Sequence, residues 1–284
     1  MPNYIKKITD TLQNEGVGPL FQKVEKTIKQ TIEERTFKPY FIQKVYEGET
    51  YAFLIGDLCG KDWYDCKTDT RKSKPETRFL KEKLLRKGDF VIDCGAHHGL
   101  VSMMCAKAVG EKGKVIAFEG LPKNTEIARK NVELNHISNL EIRNQAVGEK
   151  SGKAKFVVSS NGAIAKNNDF ETVEVDVIAL DDVFQNNPPD VLKVDVEGAE
   201  VAALRGAKNI LKTYPKIDLE IHCTEFDDRI ASITSLLNII EMDKYTSYIQ
   251  LRIDGEIVEF DQAIHTPSKI AEYPNVHLFC IPKK

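Results

Sequence analysis

The chain has 284 residues, of which 42% are hydrophobic and 29% charged, and a formal net charge of −3. That is enough apolar material for one sizeable core without the staples that very small domains need. The charge balance gives no basic footprint of a nucleic-acid binder, no apolar stretch matches a membrane span, and the N-terminus lacks a signal-peptide core. The six cysteines (Cys59, Cys66, Cys94, Cys105, Cys223 and Cys280) contain no Cys-x-x-Cys pair, so buried thiols in a reducing cytoplasm are the expectation.

Residues 1 to about 35 place Tyr4, Ile5, Ile8 and Leu12, then Leu20, Val24, Ile28 and Ile32, at helical spacing around Gly16-Val17-Gly18-Pro19. They read as two amphipathic helices that pack on a larger body or make a homo-oligomer contact. The stretches 40–45 and 50–55 flank Glu47-Gly48-Glu49 and read as a hairpin. Gly60 to Ser73 is polar and irregular, carries the single tryptophan, Trp63, and reads as a loop near a site. Residues 1–70 are thus expected to form a helical and hairpin appendage to a domain over 71–284.

From Pro75 the pattern alternates. A helix to about Arg86 leads into the apolar strand 90–92, the turn Asp93-Cys94-Gly95-Ala96-His97-His98-Gly99, and a helix from Leu100. Strands are expected at 113–119, 140–147, 191–196 and 217–222, with helices at about 122–135, 201–214 and 230–242. Stretches 153–158 and 172–177 read as a hairpin around 159–169, either a substrate loop or a plain surface hairpin. A hairpin over 245–260 turning at Asp254-Gly255 and a strand at 276–281 end the chain. Such alternation implies an α/β fold: a parallel sheet with right-handed crossovers, helices on both faces, and ligands beyond the carboxyl ends of the strands.

Asp93, Glu119, Gln145, Asp195, Glu197 and His222 all fall at those ends. An acid at position 119, about twenty residues past the glycine turn, can accept hydrogen bonds from both hydroxyls of a ribose. Nicotinamide and S-adenosylmethionine cofactors both carry that ribose. A pyrophosphate is anionic and disfavours an acid directly before the glycines, whereas a cationic sulfonium is attracted by one, so Asp93 favours the methyl donor.

The runs Asp93 to Gly99, Phe118-Glu119, Asn144 to Gly148, Leu180-Asp181-Asp182, Lys193 to Glu200 and Leu219 to His222 together resemble the FkbM-type S-adenosylmethionine-dependent methyltransferases, over roughly Pro75 to Lys284. Asp195-Val196-Glu197-Gly198-Ala199-Glu200 is the most specific piece. The resemblance implies a Rossmann-like, seven-stranded, mostly parallel sheet with an antiparallel last strand, and methyl transfer usually to oxygen. It also implies that Asp93, Gly95 and Gly99, with Ala96, His97 and Asp195, bracket the methionine part of the donor. Glu119, with Gly120, would hold the ribose, and Gln145 and Ala146 would edge the adenine. The acceptor it implies is a sugar or glycan hydroxyl or another small polar metabolite, with no nucleic acid involved.

A hydroxyl acceptor must lose a proton, so a base within reach is required. His222 titrates nearest neutrality and is the candidate base, with Asp195 or Glu197 orienting the acceptor. Glu200 is expected to serve the first turn of its helix. Asp195, Glu197 and His222 could alternatively hold a divalent ion, although no spacing signature demands one and no metal is expected. An NAD-dependent oxidoreductase and a non-catalytic nucleotide-binding module are the competing readings.

Overall fold

The computed structural model describes residues 33–34, 36–65, 74–157 and 172–283. The two expected N-terminal helices fall almost entirely outside these residues, as do Cys66 and the 159–169 insertion. Strands β1 (Tyr40–Tyr46) and β2 (Glu49–Ile55) form the expected antiparallel hairpin, with Gly48 at φ 80° in the turn. Helix α1 (Leu58–Tyr64) takes the first residues of the expected loop, whose remainder from 66 to 73 lies outside the described residues; the Asp57 side chain accepts from the Gly60 N–H and starts a helix that no apolar periodicity announces. Next comes α2 (Pro75–Phe79), begun by proline at its first position and continued by one wide π turn to Leu84.

The alternating units follow as β3 (Phe90–Cys94), α3 (Leu100–Val109), β4 (Lys114–Phe118), α4 (Pro122–Leu134) and β5 (Leu140–Arg143). The expected third strand is split. Its second half, β6 (Ala146–Val147), leaves the main sheet and pairs in parallel with β8 (Thr172–Ile178), which is antiparallel to β7 (Gly152–Val157). Then come α5 (Leu180–Phe184), β9 (Val191–Val194), α6 (Glu200–Arg205), α7 (Lys208–Leu211) and β10 (Lys216–His222). The expected continuous helix over 201–214 breaks at Gly206, where a Cβ would lie 2.0 Å from the Gly148 carbonyl oxygen. Finally α8 (Arg229–Ile240), β11 (Tyr245–Gln250), β12 (Val258–Glu259), α9 (Pro267–Ile270) and β13 (Asn275–Pro282) complete the chain.

The main sheet runs β5-β4-β3-β9-β10-β13-β11-β12. Strands β3, β4, β5, β9 and β10 are mutually parallel, whereas β13 inserts antiparallel between β10 and β11. The expected seven strands are therefore present with the last antiparallel, and the two-residue β12 makes an eighth. Side chains alternate between two cores, as a sheet buried on both faces requires. Val91, Val115, Ala117 and Val191 join α3 on one side, while Ile92, Cys94, Ile116, Phe118, Leu192 and Val194 join the α6–α8 side. Tyr51, Phe53 and Ile55 of the hairpin are fully buried in the α3 core, each worth roughly 1.5–3 kcal/mol. Asn131 and Asn135 on α4 bond the backbone of Ala52 and Leu54, so the hairpin is packed into the same body as the sheet. None of the five described cysteines is disulfide-bonded, and Cys94, Cys105, Cys223 and Cys280 are buried.

Candidate active site

Two turns meet beyond the carboxyl ends of the central strands. The first follows β3, where Gly95, His97 and Gly99 all adopt positive φ, at 93°, 48° and 84°. Gly95 is obligatory for packing: a Cβ there would stand 1.7 Å from the Asp195 carbonyl oxygen, on the turn after β9. At Gly99 a Cβ would touch Ala128 of α4 at 3.3 Å, so this glycine sets the distance between two helices. His97 is a non-glycine in the left-handed region, which costs about 1–3 kcal/mol and marks a held conformation. It is held from both sides. Its N–H donates to Glu119 Oε2 at 2.8 Å, and its Nδ1 lies 2.8 Å from the Tyr64 hydroxyl of α1. The rings of Trp63 and His98 stand 4.9 Å and 4.0 Å from the His97 ring. Helix α1 thus lays an aromatic shelf over the turn.

Glu119 closes the other side of this turn. Besides His97, it accepts from the Leu121 N–H at 2.8 Å and faces Asn124. Burial pushes its carboxyl up to about 7 against those bonds. The carbonyls of Glu119 and Gly120 are gathered by the Asn144 amide, and Gly120 packs on Phe156 of β7. Gln145 is half-buried and Ala146 buried just beyond β5, and Ala96 is 6% exposed.

Asp93 departs from expectation. It is 0% exposed, accepts from the Ser102 hydroxyl at 2.6 Å, and pairs with Lys193 at 3.1 Å. A buried acid balanced by a buried lysine cannot meet a ligand from the crevice, so Asp93 is a support for the turn rather than an attractor of positive charge.

The second turn follows β9. Asp195 extends from the strand end, Glu197 and Gly198 take φ of 47° and 92°, and α6 begins at Glu200. Across from them Glu220 and His222 stand two apart on β10, hence on one face. His222 is the hub. Its Nδ1 bonds Glu200 Oε1 at 2.7 Å, while its Nε2 faces Glu197 at 3.5 Å, Glu220 at 3.7 Å and Asp195 at 3.8 Å. Burial opposes the imidazolium, but the Glu200 bond and the charges of Asp195, Glu200 and Glu220 outweigh it and push the pKa up to about 9. A histidine so surrounded keeps its proton at neutral pH, so the base expected from its ordinary pKa is not what these neighbours make of it. Glu200 likewise exceeds its expected part: it opens α6, but it is 0% exposed, accepts from the Gly198 N–H, and orients His222. Burial pushes the Glu197 carboxyl up to about 7, with the His222 charge opposing.

The structure therefore brings Asp195, Glu197 and His222 together, and adds Glu220, Glu200, Lys193 and His277, which were not singled out as site residues. Glu220 was recoverable from its period-2 spacing to His222. His277 was not, because it arrives from β13, where it is the register partner of Glu220.

Residues 93–252 match the family described as the methyltransferase FkbM domain, and the chain belongs to that family. Residues 5–152 also match the description protein-L-isoaspartate(D-aspartate) O-methyltransferase. A cobalt-precorrin-6B C(15)-methyltransferase (decarboxylating) of Sulfolobus acidocaldarius is 42% identical over 73 residues, 25% of this chain and 38% of that protein. Methyltransferase 1 of Beauveria bassiana is 26% identical over 144 residues, 41% of this chain and 57% of that protein. The chain thus spans 38% and 57% of the lengths of these two relatives. An rRNA methylase structure from Streptococcus thermophilus is 14% identical, with a TM-score of 0.44 over 73% of this chain and 94% of that one. No helix among the described residues is long and apolar enough to cross a membrane.

S-adenosylmethionine is the cofactor of this methyltransferase class, and the residues present fit it. Glu119 sits at the second strand end with two oxygens and about four lone-pair positions, of which backbone N–H groups take two, leaving acceptor capacity for a diol. The turn from Gly95 to Gly99 and the edge at Gln145 and Ala146 flank it.

Proposed function

We propose that the chain is an S-adenosylmethionine-dependent O-methyltransferase whose acceptor is a hydroxyl on a sugar or another small polar molecule. The observation that carries this is the convergence of Asp195, Glu197, Glu220 and His222 at the mouth of the β9 and β10 strand ends, one Cβ-width from the glycine turn through the Gly95–Asp195 contact. Glu119 would hold the ribose, the turn at His97 would face the methionine part, Gln145 would edge the adenine, and the cofactor supplies an electrophilic methyl group on sulfur.

The chain's own residues have three tasks. Positioning comes first, and orientation alone can supply up to about 7–11 kcal/mol of a barrier. Asp195 and Glu197 are the most exposed members of the cluster, with side chains 30% and 24% accessible, and so meet an entering hydroxyl first. One of them accepts the hydroxyl proton as the oxygen becomes nucleophilic, a step worth roughly 10²–10⁴-fold. His222 at 5% exposure stays behind them and fixes their carboxylates. The α1 shelf of Trp63 and Tyr64 shields the donor turn from water.

Calorimetric titration with S-adenosylhomocysteine tests the donor class. Saturable binding with a matching rise in Tm is expected, since a ligand of the folded state stabilises it. Binding of NADH in its place would overturn the reading. Methyl transfer to a panel of sugars, followed with labelled donor, tests the acceptor; transfer only to nucleic acid or to protein carboxylates would replace it.

A further inference from the structure

We infer that Asp195, Glu220 and His222 form a divalent cation site of the Mn²⁺ type, in which the ion also ligates the acceptor oxygen. One oxygen or nitrogen from each of these residues lies within 4.8 Å of the others. In a six-coordinate ion with bonds of about 2.1 Å, neighbouring ligand atoms stand about 3.0 Å apart and opposite ones about 4.2 Å apart. The observed separations of 3.7 Å and 3.8 Å from His222 Nε2 fall between those values, so small side-chain movements would bring three ligand atoms onto one ion, with water or acceptor oxygens filling the remaining positions.

The stronger argument is how each ligand is held from behind. His222 is 4% exposed; Glu200 takes its Nδ1 at 2.7 Å, and the nearest carboxylate oxygens to its Nε2 are all farther than an ordinary hydrogen bond. That buried nitrogen therefore faces the cluster, and an ion bound there would displace the proton it carries in the ion's absence. Asp195 has Oδ2 on Lys193 at 3.3 Å and turns Oδ1 inward. Glu220 has Oε2 on His277 at 3.2 Å and turns Oε1 inward, where Asn275 also donates to it at 3.2 Å. Three donor atoms face one point while the far atom of each is tied to another side chain. This is the arrangement by which metal ligands are oriented, with a carboxylate behind the imidazole. Two carboxylates and an imidazole suit Mn²⁺ better than the all-oxygen preference of Ca²⁺ or Mg²⁺.

Glu197, 3.5 Å from Nε2 and 24% accessible, stands at the open side, where a hydroxyl would enter. An ion here would bind that oxygen and make its proton easier to remove; with Asp195 engaged on the ion, Glu197 is the carboxylate that takes the proton. This second half of the inference rests on the methyltransferase reading; the cation site does not.

The test uses the full chain, treated with EDTA, dialysed, and titrated with MnCl₂ while the EPR signal of free Mn²⁺ is followed. One equivalent should bind. Asp195→Asn and Glu220→Gln should each weaken binding at least about tenfold, and Glu200→Gln by about 10–100-fold, as loss of a supporting partner does. Glu149→Gln, on a surface pair with Arg205, should leave binding unchanged. Pulsed EPR of the wild-type complex should show nitrogen coupling from an imidazole ligand, a readout that stands even if a variant does not fold. Absence of saturable binding, absence of that coupling, or undiminished binding in folded Asp195→Asn and Glu220→Gln would overturn the site. Titration with S-adenosylhomocysteine is read separately: Mn²⁺ binding without it would leave the cation site and remove the methyltransferase reading, and the reverse result would do the opposite.

Discussion

The turn after β3 and the turn after β9 lie against each other, and each forces a non-glycine residue into the left-handed region, His97 in one and Glu197 in the other. They are held by opposite means. His97 is fixed mainly by uncharged contacts, a tyrosine hydroxyl and stacked rings, with the Glu119 carboxyl as the single acid, accepting from its backbone N–H. Glu197 sits among charges, with an imidazole at its face and three further carboxylates around that ring. A largely uncharged clamp suits a turn that must keep one shape. A charged one suits a place where protons, hydroxyls or cations come and go, since its energetics change with every arrival. The contrast teaches that similar backbones after neighbouring strands can be set to different work by what braces them.

The harshest way to break this pairing is Gly95→Ala. A Cβ 1.7 Å from the Asp195 carbonyl, at φ 93°, cannot be absorbed by backbone, and a loss beyond about 5 kcal/mol is expected, read as failure to give a cooperative thermal transition. Next is Lys193→Met, which strands Asp93 in the interior and releases Asp195; chemical denaturation should show a loss of about 3–5 kcal/mol.

Glu119 probes the largely uncharged turn. Its carboxyl is pushed from the ordinary 4.5 up to about 7 in the folded chain, so the folded state holds a proton that the unfolded state gives up earlier. Its contribution to stability is full below pH 4.5 and declines as pH rises towards 7, by up to about 3 kcal/mol. A pH series of denaturation curves should show that decline and a smaller one in Glu119→Ala, where Glu197, also pushed up to about 7, still contributes. The same variant should bind S-adenosylhomocysteine about 10–100-fold more weakly, measured by calorimetry; unchanged affinity would remove the ribose role.

The gentlest probe is optical. Trp63 is the single tryptophan and lies against His97, so donor binding should change intrinsic fluorescence, and Trp63→Ala should abolish that signal while costing about 1 kcal/mol of stability.

Much of the scaffold was legible because strand and helix periods alternate and strand ends carry polar residues. Val91, Ile92, Leu192 and Val194 announce buried strands by composition alone, and Asp195 to Glu200 carried the family. Helix α1 was not legible: its start depends on one capping bond from Asp57, and it keeps Trp63 49% exposed. The roles of Asp93 and His222 were misjudged for a common reason. Sequence gives a residue's ordinary charge, while the partner that changes it, Lys193 for one and Glu200 with its companion carboxylates for the other, is supplied by register between strands. The same holds for His277, which meets Glu220 only because β13 runs antiparallel to β10.

The asparagines that dock the hairpin have a consequence for the protein as a material. The outer edge of β2 would otherwise present bare N–H and carbonyl groups, a template on which another copy could add a strand. Asn131 and Asn135 occupy Ala52 and Leu54 with side-chain amides and seal that edge. An Asn135→Asp exchange would set a carboxylate against the Ala52 carbonyl and unseal it, so that variant should self-associate along β2 while keeping the sheet that carries the site.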